Sequence, residues 1–161
     1  MRLYRLPELT ARRVVGSEAL AYETITEAPP LDLSDRWPAL HYSLCLEAPM
    51  PRHVAVAEGV EWDDKSLENA LMGGDATPYP DGLTFARVLR PASVRMMAPR
   101  LSAISPEEMW ERVDEGIDDY LPSDWPDPLK RSTVVAMFMR LVDVYRAAAA
   151  AGDGLLFHVA G

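Results

Sequence analysis

Residues 31–47 read LDLSDRWPALHYSLCLE and predict the helix around which we expect the rest of the chain to pack. Ser34 suits the N-cap position, because its hydroxyl can accept a hydrogen bond from a free amide of the first turn. Pro38 then falls within that turn, where its missing N–H breaks no helical hydrogen bond. Trp37 and His41 lie one turn apart on the same face. Apolar residues extend well beyond that face, so we expect a mostly buried helix.

His41 is a polar residue in this helix, and its role has two interpretations. A histidine in a core usually bonds to backbone or to another side chain, and that structural role is the simpler one. The alternative is a pocket-lining histidine beside the aromatic wall of Trp37. Cys45 follows one turn later, at a spacing that permits a nucleophilic pair with His41. A free cysteine in an apolar setting is usually a buried filler, so we assign no catalytic residue.

Length and composition indicate one globular domain over residues 1–161, long enough to bury a substantial core. No apolar run is long enough to cross a bilayer, and the start, MRLYRLPELTARR, lacks the apolar run of a signal peptide. A single cysteine allows no intramolecular disulfide, which suits a reducing compartment. We therefore expect a cytoplasmic protein that does not bind membranes.

The charge of the chain is concentrated in one segment. Residues 107–127 contain nine acids and one base, which accounts for −8 of the net charge of −9. A protein that binds the phosphate backbone needs the opposite sign, so nucleic acid is not an expected partner. A basic protein partner would suit this acidic segment. The alternative is a solvated helix face with no partner.

No metal or cofactor pattern is found in the sequence. The aspartates of residues 118–127 lack the spacing of an EF-hand, and His41, His53 and His158 are too scattered for a zinc site. Residues 73–82, GGDATPYPDG, are predicted to form the longest loop. Backbone amides of a Gly-Gly-Asp start can bind phosphate, but the loop lacks the established phosphate-binding motifs. We expect a plain loop, no metal and no cofactor.

Periodicity and capping signals predict the remaining elements. Ser105-Pro106-Glu107-Glu108 forms a capping box with proline at the first helical position. Pro99 should kink or split its helix. Strands are expected at residues 2–6, 83–89 and 155–160, with a strand or helical turn at 54–57. Helices are expected at 8–15, 18–25, 62–72, 91–103, 105–120 and 128–151.

The strand at residues 83–89 places Phe85, Arg87 and Leu89 on one face. Arg87 is therefore flanked by apolar side chains. An arginine in this setting usually extends its charged end to solvent or pairs with a carboxylate. The alternative is an arginine that binds an anion at the edge of a pocket.

Five segments, in unbroken order, resemble one known family. They are LDLSDRWPALHYSL at 31–44, ALMGGDATPYPDGLTFARVLRP at 70–91, ISPEEMW at 104–110, DDYLPSDW at 118–125 and VDVYRAAAAAGDGLLFHVAG at 142–161. The chain resembles the bacterial YfbM-like family over residues 31–161, whereas the first thirty residues match poorly. This resemblance implies an α+β single compact domain, with several helices packed on a small, mostly antiparallel sheet. It implies no activity, because the family is a domain of unknown function.

Residues from the matching segments could converge on one pocket. Trp37, His41, Tyr79, Arg87 and Trp125 would form aromatic walls with one histidine and one arginine, which suits a small anionic or nucleotide-like ligand. We expect a non-catalytic binding or interaction module that uses this pocket or the acidic segment. The alternative is an enzyme with His41 as general acid or base and Arg87 as anion stabiliser. A purely structural cluster would explain the same residues.

Overall fold

The computed structural model describes residues 1–33, 35–45, 67, 69–77, 85–113 and 115–159. Several of the predicted features lie outside these residues. They include the cap at Ser34, the strand or turn at 54–57, the beginning of the helix at 62–72, Tyr79 and the first two residues of the strand at 83–89.

An antiparallel sheet forms the middle layer, with five strands among the described residues in the order β2-β1-β5-β4-β3. The strands are β1 (Arg2–Leu6), β2 (Leu31–Asp32), β3 (Asp75–Ala76), β4 (Phe85–Leu89) and β5 (Gly154–Val159). β5 is the central strand. It pairs with β1 from Arg2↔His158 to Leu6↔Gly154, and with β4 along its other edge. The near-continuous apolarity of residues 155–159 suits this buried position.

Helices cover both faces of the sheet. They are α1 (Glu8–Val14), α2 (Glu18–Glu27), α3 (Trp37–Cys45), α4 (Asn69–Met72), α5 (Pro91–Ser102), α6 (Pro106–Glu111) and α7 (Asp127–Ala151), with a 3-10 helix (Glu115–Asp119) between α6 and α7. None of these described helices combines the length and apolarity that a membrane crossing requires. The α+β fold with an antiparallel sheet is confirmed.

Side-chain alternation along the strands divides the core in two. Tyr4 and Leu156 point to one face, where they pack with Ala11, Val14 and Ala21 of α1 and α2. Leu3, Leu155 and Phe157 point to the other face, where the larger cluster includes side chains of α3, α5, α6 and α7. The period of two in a strand therefore gives each face its own apolar layer.

The centre of the molecule is formed by β5 and α7 rather than by residues 31–47. α7 has 25 residues, and Phe138, Leu141 and Tyr145 are among its fully buried side chains. The Tyr145 hydroxyl donates to the carbonyl of Ala70 at 2.9 Å, and burial raises the pKa of this phenol well above its usual value. Gly152 ends α7 in the left-handed conformation, which glycine adopts without the steric cost of a Cβ.

Several predicted boundaries were wrong. Residues 31–32 form the edge strand β2, and the helix follows only at Trp37. The helix that begins with the confirmed capping box at Ser105 ends at Glu111 instead of residue 120. Of the two alternatives for Pro99, a split helix is excluded because α5 continues through it to Ser102. The expected loop at 73–82 contains β3.

Gly74 holds the start of β3 against β4. Its φ is +90°, and a Cβ at this position would lie 2.3 Å from the carbonyl oxygen of Val88. Backbone cannot yield as a flexible side chain can, so only glycine fits here. The same residue offers its own carbonyl to the guanidinium of Arg87.

We expect Gly74→Ala to lower the free energy of unfolding by about 2 kcal/mol or more, because it adds left-handed strain to a backbone clash. Gly16→Ala is the matched control, since the nearest atom to a Cβ there is 4.0 Å away. The control should change stability by less than about 0.5 kcal/mol. Urea denaturation of both variants measures the difference, and equal losses would contradict the role of Gly74.

A buried lysine joins the 3-10 helix to α7. The Lys130 ammonium donates to the Asp118 carboxylate at 2.5 Å, and the two side chains are 7% and 48% exposed. A lysine this deeply buried needs a partner for its charge. The pair therefore fixes the acidic 3-10 helix against the first turn of α7.

Asp118→Ala should destabilise the protein by about 1 to 2 kcal/mol, because it leaves the buried ammonium of Lys130 without its carboxylate partner. The loss is limited because the Asp118 side chain is 48% exposed, and water already weakens the ion pair. Asp119→Ala removes the same charge from the adjacent exposed position and should cost little. Denaturant titration of the two variants tests this expectation. The double variant Asp118→Ala/Lys130→Met should recover part of the loss, and a loss at Asp119 as large as that at Asp118 would contradict the assignment.

Candidate functional site

The aromatic and histidine residues predicted on the helix after residue 34 do lie together on α3. The rings of Trp37 and His41 meet edge to face, with centroids 6.4 Å apart and planes at 85°. His41 Nδ1 lies 3.4 Å from the Cys45 sulfur, and the Cys45 thiol also donates to the His41 carbonyl at 3.1 Å. His41 is only 4% exposed. Its ring is therefore enclosed by its own helix and the core.

The proline-rich loop before α7 approaches the same helix. The Arg36 guanidinium lies 5.8 Å from the ring centroid of Trp125, within the range of a cation–π contact. Tyr42 and Tyr120 pack with ring centroids 5.2 Å apart. Burial raises the pKa of the Tyr120 phenol, and the charge of Asp119 adds to this effect. The loop carrying Trp125 thus lies beside the residue that precedes α3, and the 3-10 helix also contacts α3.

Arg87 is buried on β4, with 6% of its surface exposed. It alternates with Ala86 and Val88, so it points to the sheet face that α3 and α7 cover. Its Nε donates to the Gly74 carbonyl at 3.0 Å, and a terminal nitrogen donates to the same oxygen. These bonds give Arg87 a structural role at the β3 edge. Tyr79, the fifth predicted pocket residue, lies outside the described residues.

Two exposed carboxylates of the acidic segment at residues 107–127 have structural partners. Glu108 accepts from the Ser105 backbone N–H at 2.8 Å, and this hydrogen bond lowers the pKa of its carboxyl group. Asp118 holds Lys130. The other described acids of the segment are exposed; they are Glu107, Glu111, Glu115, Asp119, Asp124 and Asp127. Across the described chain, no group of three or more potential ligands is placed to hold a metal ion.

Two grooves open beside Trp110, between α6, the 3-10 helix and the start of α7. One, of about 390 Å³, has walls from Trp110 and Val135, and its charged residues are Glu107, Asp127 and Arg131. The other, of about 340 Å³, shares Trp110 and Asp127 and adds Glu115 and the Asp118–Lys130 pair. We call these the Trp110 grooves.

The sequence prediction missed Trp110 as a site residue. The sequence did contain a signal for it, because Trp110 comes two residues after the capping box and lies within the densest run of acids. That pattern is compatible with simple core packing, and Trp110 does pack partly against the core. Only the open space on its other side distinguishes a groove wall from a core residue.

Comparisons with known proteins agree on the fold and give no activity. No curated protein matches the chain. A crystal structure of YfbM from Escherichia coli, described as a protein of unknown function, is similar with a TM-score of 0.72 at 15% sequence identity. The similarity covers 99% of this chain and 98% of that one. At this identity the likeness shows the fold alone.

A protein-family model described as a domain of unknown function, DUF1877, matches residues 3–158. The match includes most of the first thirty residues, which the sequence reading had placed outside the resemblance. β1, α1 and α2 are thus part of the family's domain. Because the model covers nearly the whole chain, the chain belongs to the DUF1877 family.

Proposed function

We propose that the protein is a non-catalytic interaction module that binds a basic segment of a partner protein in the Trp110 grooves. The observation that carries this proposal is the pair of adjoining grooves, which share an aromatic wall and are bordered by exposed carboxylates. An acidic surface alone, or an apolar groove alone, would not indicate which side chain of a partner binds there. Their combination favours a lysine or arginine side chain with an apolar stem.

The chemistry of recognition follows from the lining residues. A guanidinium or ammonium group lying over the Trp110 ring gains a cation–π contact, which is worth about 0.5 to 2 kcal/mol. Asp127 borders both grooves and can accept hydrogen bonds from such a group. Arg131 lies 3.9 Å from Glu107 and leaves part of that carboxylate to an incoming cation. Charges of this kind increase the association rate and the specificity more than the affinity.

The two other functions considered from the sequence have less support. A general acid or base must reach the proton it transfers, whereas His41 is buried and adjoins Cys45 of its own helix. An anion-binding Arg87 would have to turn its donors away from the Gly74 carbonyl. The pocket for a small anionic ligand remains a prediction; its residues are Trp37, His41, Tyr79, Arg87 and Trp125.

Fluorescence anisotropy with a labelled arginine- and lysine-rich peptide tests the proposal. Glu107→Gln/Asp127→Asn should weaken binding about tenfold, equivalent to about 1.4 kcal/mol. Glu18→Gln/Asp143→Asn is the matched control, because it removes two exposed carboxylates outside the grooves. The control should alter affinity less than about twofold, since water and salt screen distant charges.

Salt and a ring substitution complete the test. Raising the salt from about 0.1 M to about 1 M shortens the Debye length from roughly 10 Å to roughly 3 Å, so peptide binding should weaken strongly. Trp110→Phe keeps an aromatic wall and should weaken binding less than Trp110→Leu. The proposal fails if the peptide does not bind at low salt, or if the control pair weakens binding as much as the groove pair.

A further inference from the structure

We propose that a second cleft, between α1 and the start of α5, binds a small organic phosphate. The cleft has a volume of about 590 Å³ and shares no residue with the Trp110 grooves. Its apolar floor comes from Ala11, Val15 and Pro91. Three arginines line it, Arg12 from α1 and Arg90 and Arg95 from the α5 segment. This inference goes beyond the proposed partner binding.

The positive charge of this cleft is unusual for the molecule. The whole chain carries −9, yet the cleft is lined by three arginines and a single acid, Glu8. No acid occurs in the sequence between Asp81 and Glu107, and that stretch contains α5. The cleft is therefore a local exception in an acidic protein, and its charge suits an anion.

The three guanidinium groups are available to a ligand to different degrees. Arg95 makes no hydrogen bond or ion pair within the part of the chain that the structure describes. Arg12 pairs with Glu8 at 2.5 Å, and Arg90 pairs with Asp75 at 2.6 Å. In both pairs the side chains are at least 40% exposed. Exposed pairs contribute little stability, so a phosphate can replace either carboxylate at small cost.

The beginning of α5 adds to the same preference. The helix has 12 residues, and its N-cap residue Arg90 makes no side-chain capping bond. Ala92, in the first turn, lines the cleft. Uncapped first-turn amides and the helix dipole favour a negative charge at this end. The N-terminus of α5 therefore adds to the attraction that the three arginines exert on an anion.

The floor of the cleft is held in place by close packing at Gly154. A Cβ on Gly154 would lie 2.7 Å from the Leu89 carbonyl oxygen and 3.0 Å from the Ala11 Cβ. The absence of a side chain lets α1 and the start of α5 approach β5 closely. A preformed floor lowers the ordering cost of binding.

The chemistry of the cleft indicates the class of ligand. Arginine donates two parallel hydrogen bonds to phosphate oxygens, and three arginines suit a dianion better than a single carboxylate. The volume exceeds the needs of a lone phosphate ion, and the apolar floor can contact an organic group. Phenyl phosphate is therefore a suitable probe, with inorganic phosphate and benzoate as comparisons.

Calorimetric titration of the full chain at low ionic strength tests the assignment. Phenyl phosphate should bind more tightly than inorganic phosphate, because of the apolar floor, and more tightly than benzoate, because of the second charge. Arg95→Gln should weaken phenyl phosphate binding about tenfold. Glu8→Gln should tighten it several-fold, because it removes a negative charge and releases Arg12.

Matched controls distinguish binding in this cleft from a general effect of the net charge of the protein. Arg140→Gln and Asp143→Asn make the same charge changes at exposed positions of α7, outside the cleft, and should alter affinity less than about twofold.

Absence of phenyl phosphate binding would overturn the proposal. Equal effects of Arg95→Gln and Arg140→Gln would also overturn it, as would Glu8→Gln with no gain in affinity. Equal affinity for phenyl phosphate and inorganic phosphate would overturn the organic part of the assignment. None of these variants changes a residue of the Trp110 grooves, so a negative result for phosphate binding does not bear on peptide binding.

Discussion

The pairing of β5 between β1 and β4 is the constraint on which the rest of the structure depends. It joins the last described strand to the first one, from Arg2↔His158 to Leu6↔Gly154, and closes the middle of the sheet. Alternation along β5 then sends Leu155 and Phe157 to one apolar layer and Leu156 to the other. The helices on each face pack on these side chains. Such long-range pairing closes a large loop, and the entropic cost of this closure is offset only when the contacts on both faces of the sheet have formed.

Local signals predicted the long elements well, and tertiary contacts explain the errors. The capping box at Ser105 is determined by a few neighbouring residues, and it was predicted. β2 and β3 have two residues each, too few to show any periodicity. The helix expected to reach residue 120 ends at Glu111, and a 3-10 helix follows, in which Asp118 reaches the buried Lys130. No pattern within one segment could reveal a partner twelve residues away on another helix.

The same distinction applies to the candidate sites. Trp37 and His41 were predicted to be neighbours because they lie one helical turn apart, and their rings do meet. Contacts between elements, such as Arg36 with Trp125 or Arg87 with Gly74, required the structure. The arginine-lined cleft was missed because Arg12 and Arg95 lie far apart in the sequence. A usable signal was present, however, because the stretch without acids around α5 directly precedes the most acidic segment.

The polar residues of the described chain fall into a buried set and an exposed set. His41, Arg87 and His158 are the buried groups with the most versatile chemistry, and each is less than a tenth exposed. Burial, with the nearby positive charges of Arg2 and the N-terminus, lowers the pKa of His158 and favours its neutral form. The exposed charges lie instead at grooves and helix ends, where ligands can reach them and where no histidine or cysteine is found among the lining residues. Such surfaces can attract and orient charged partners, and this is the basis on which we propose reversible recognition.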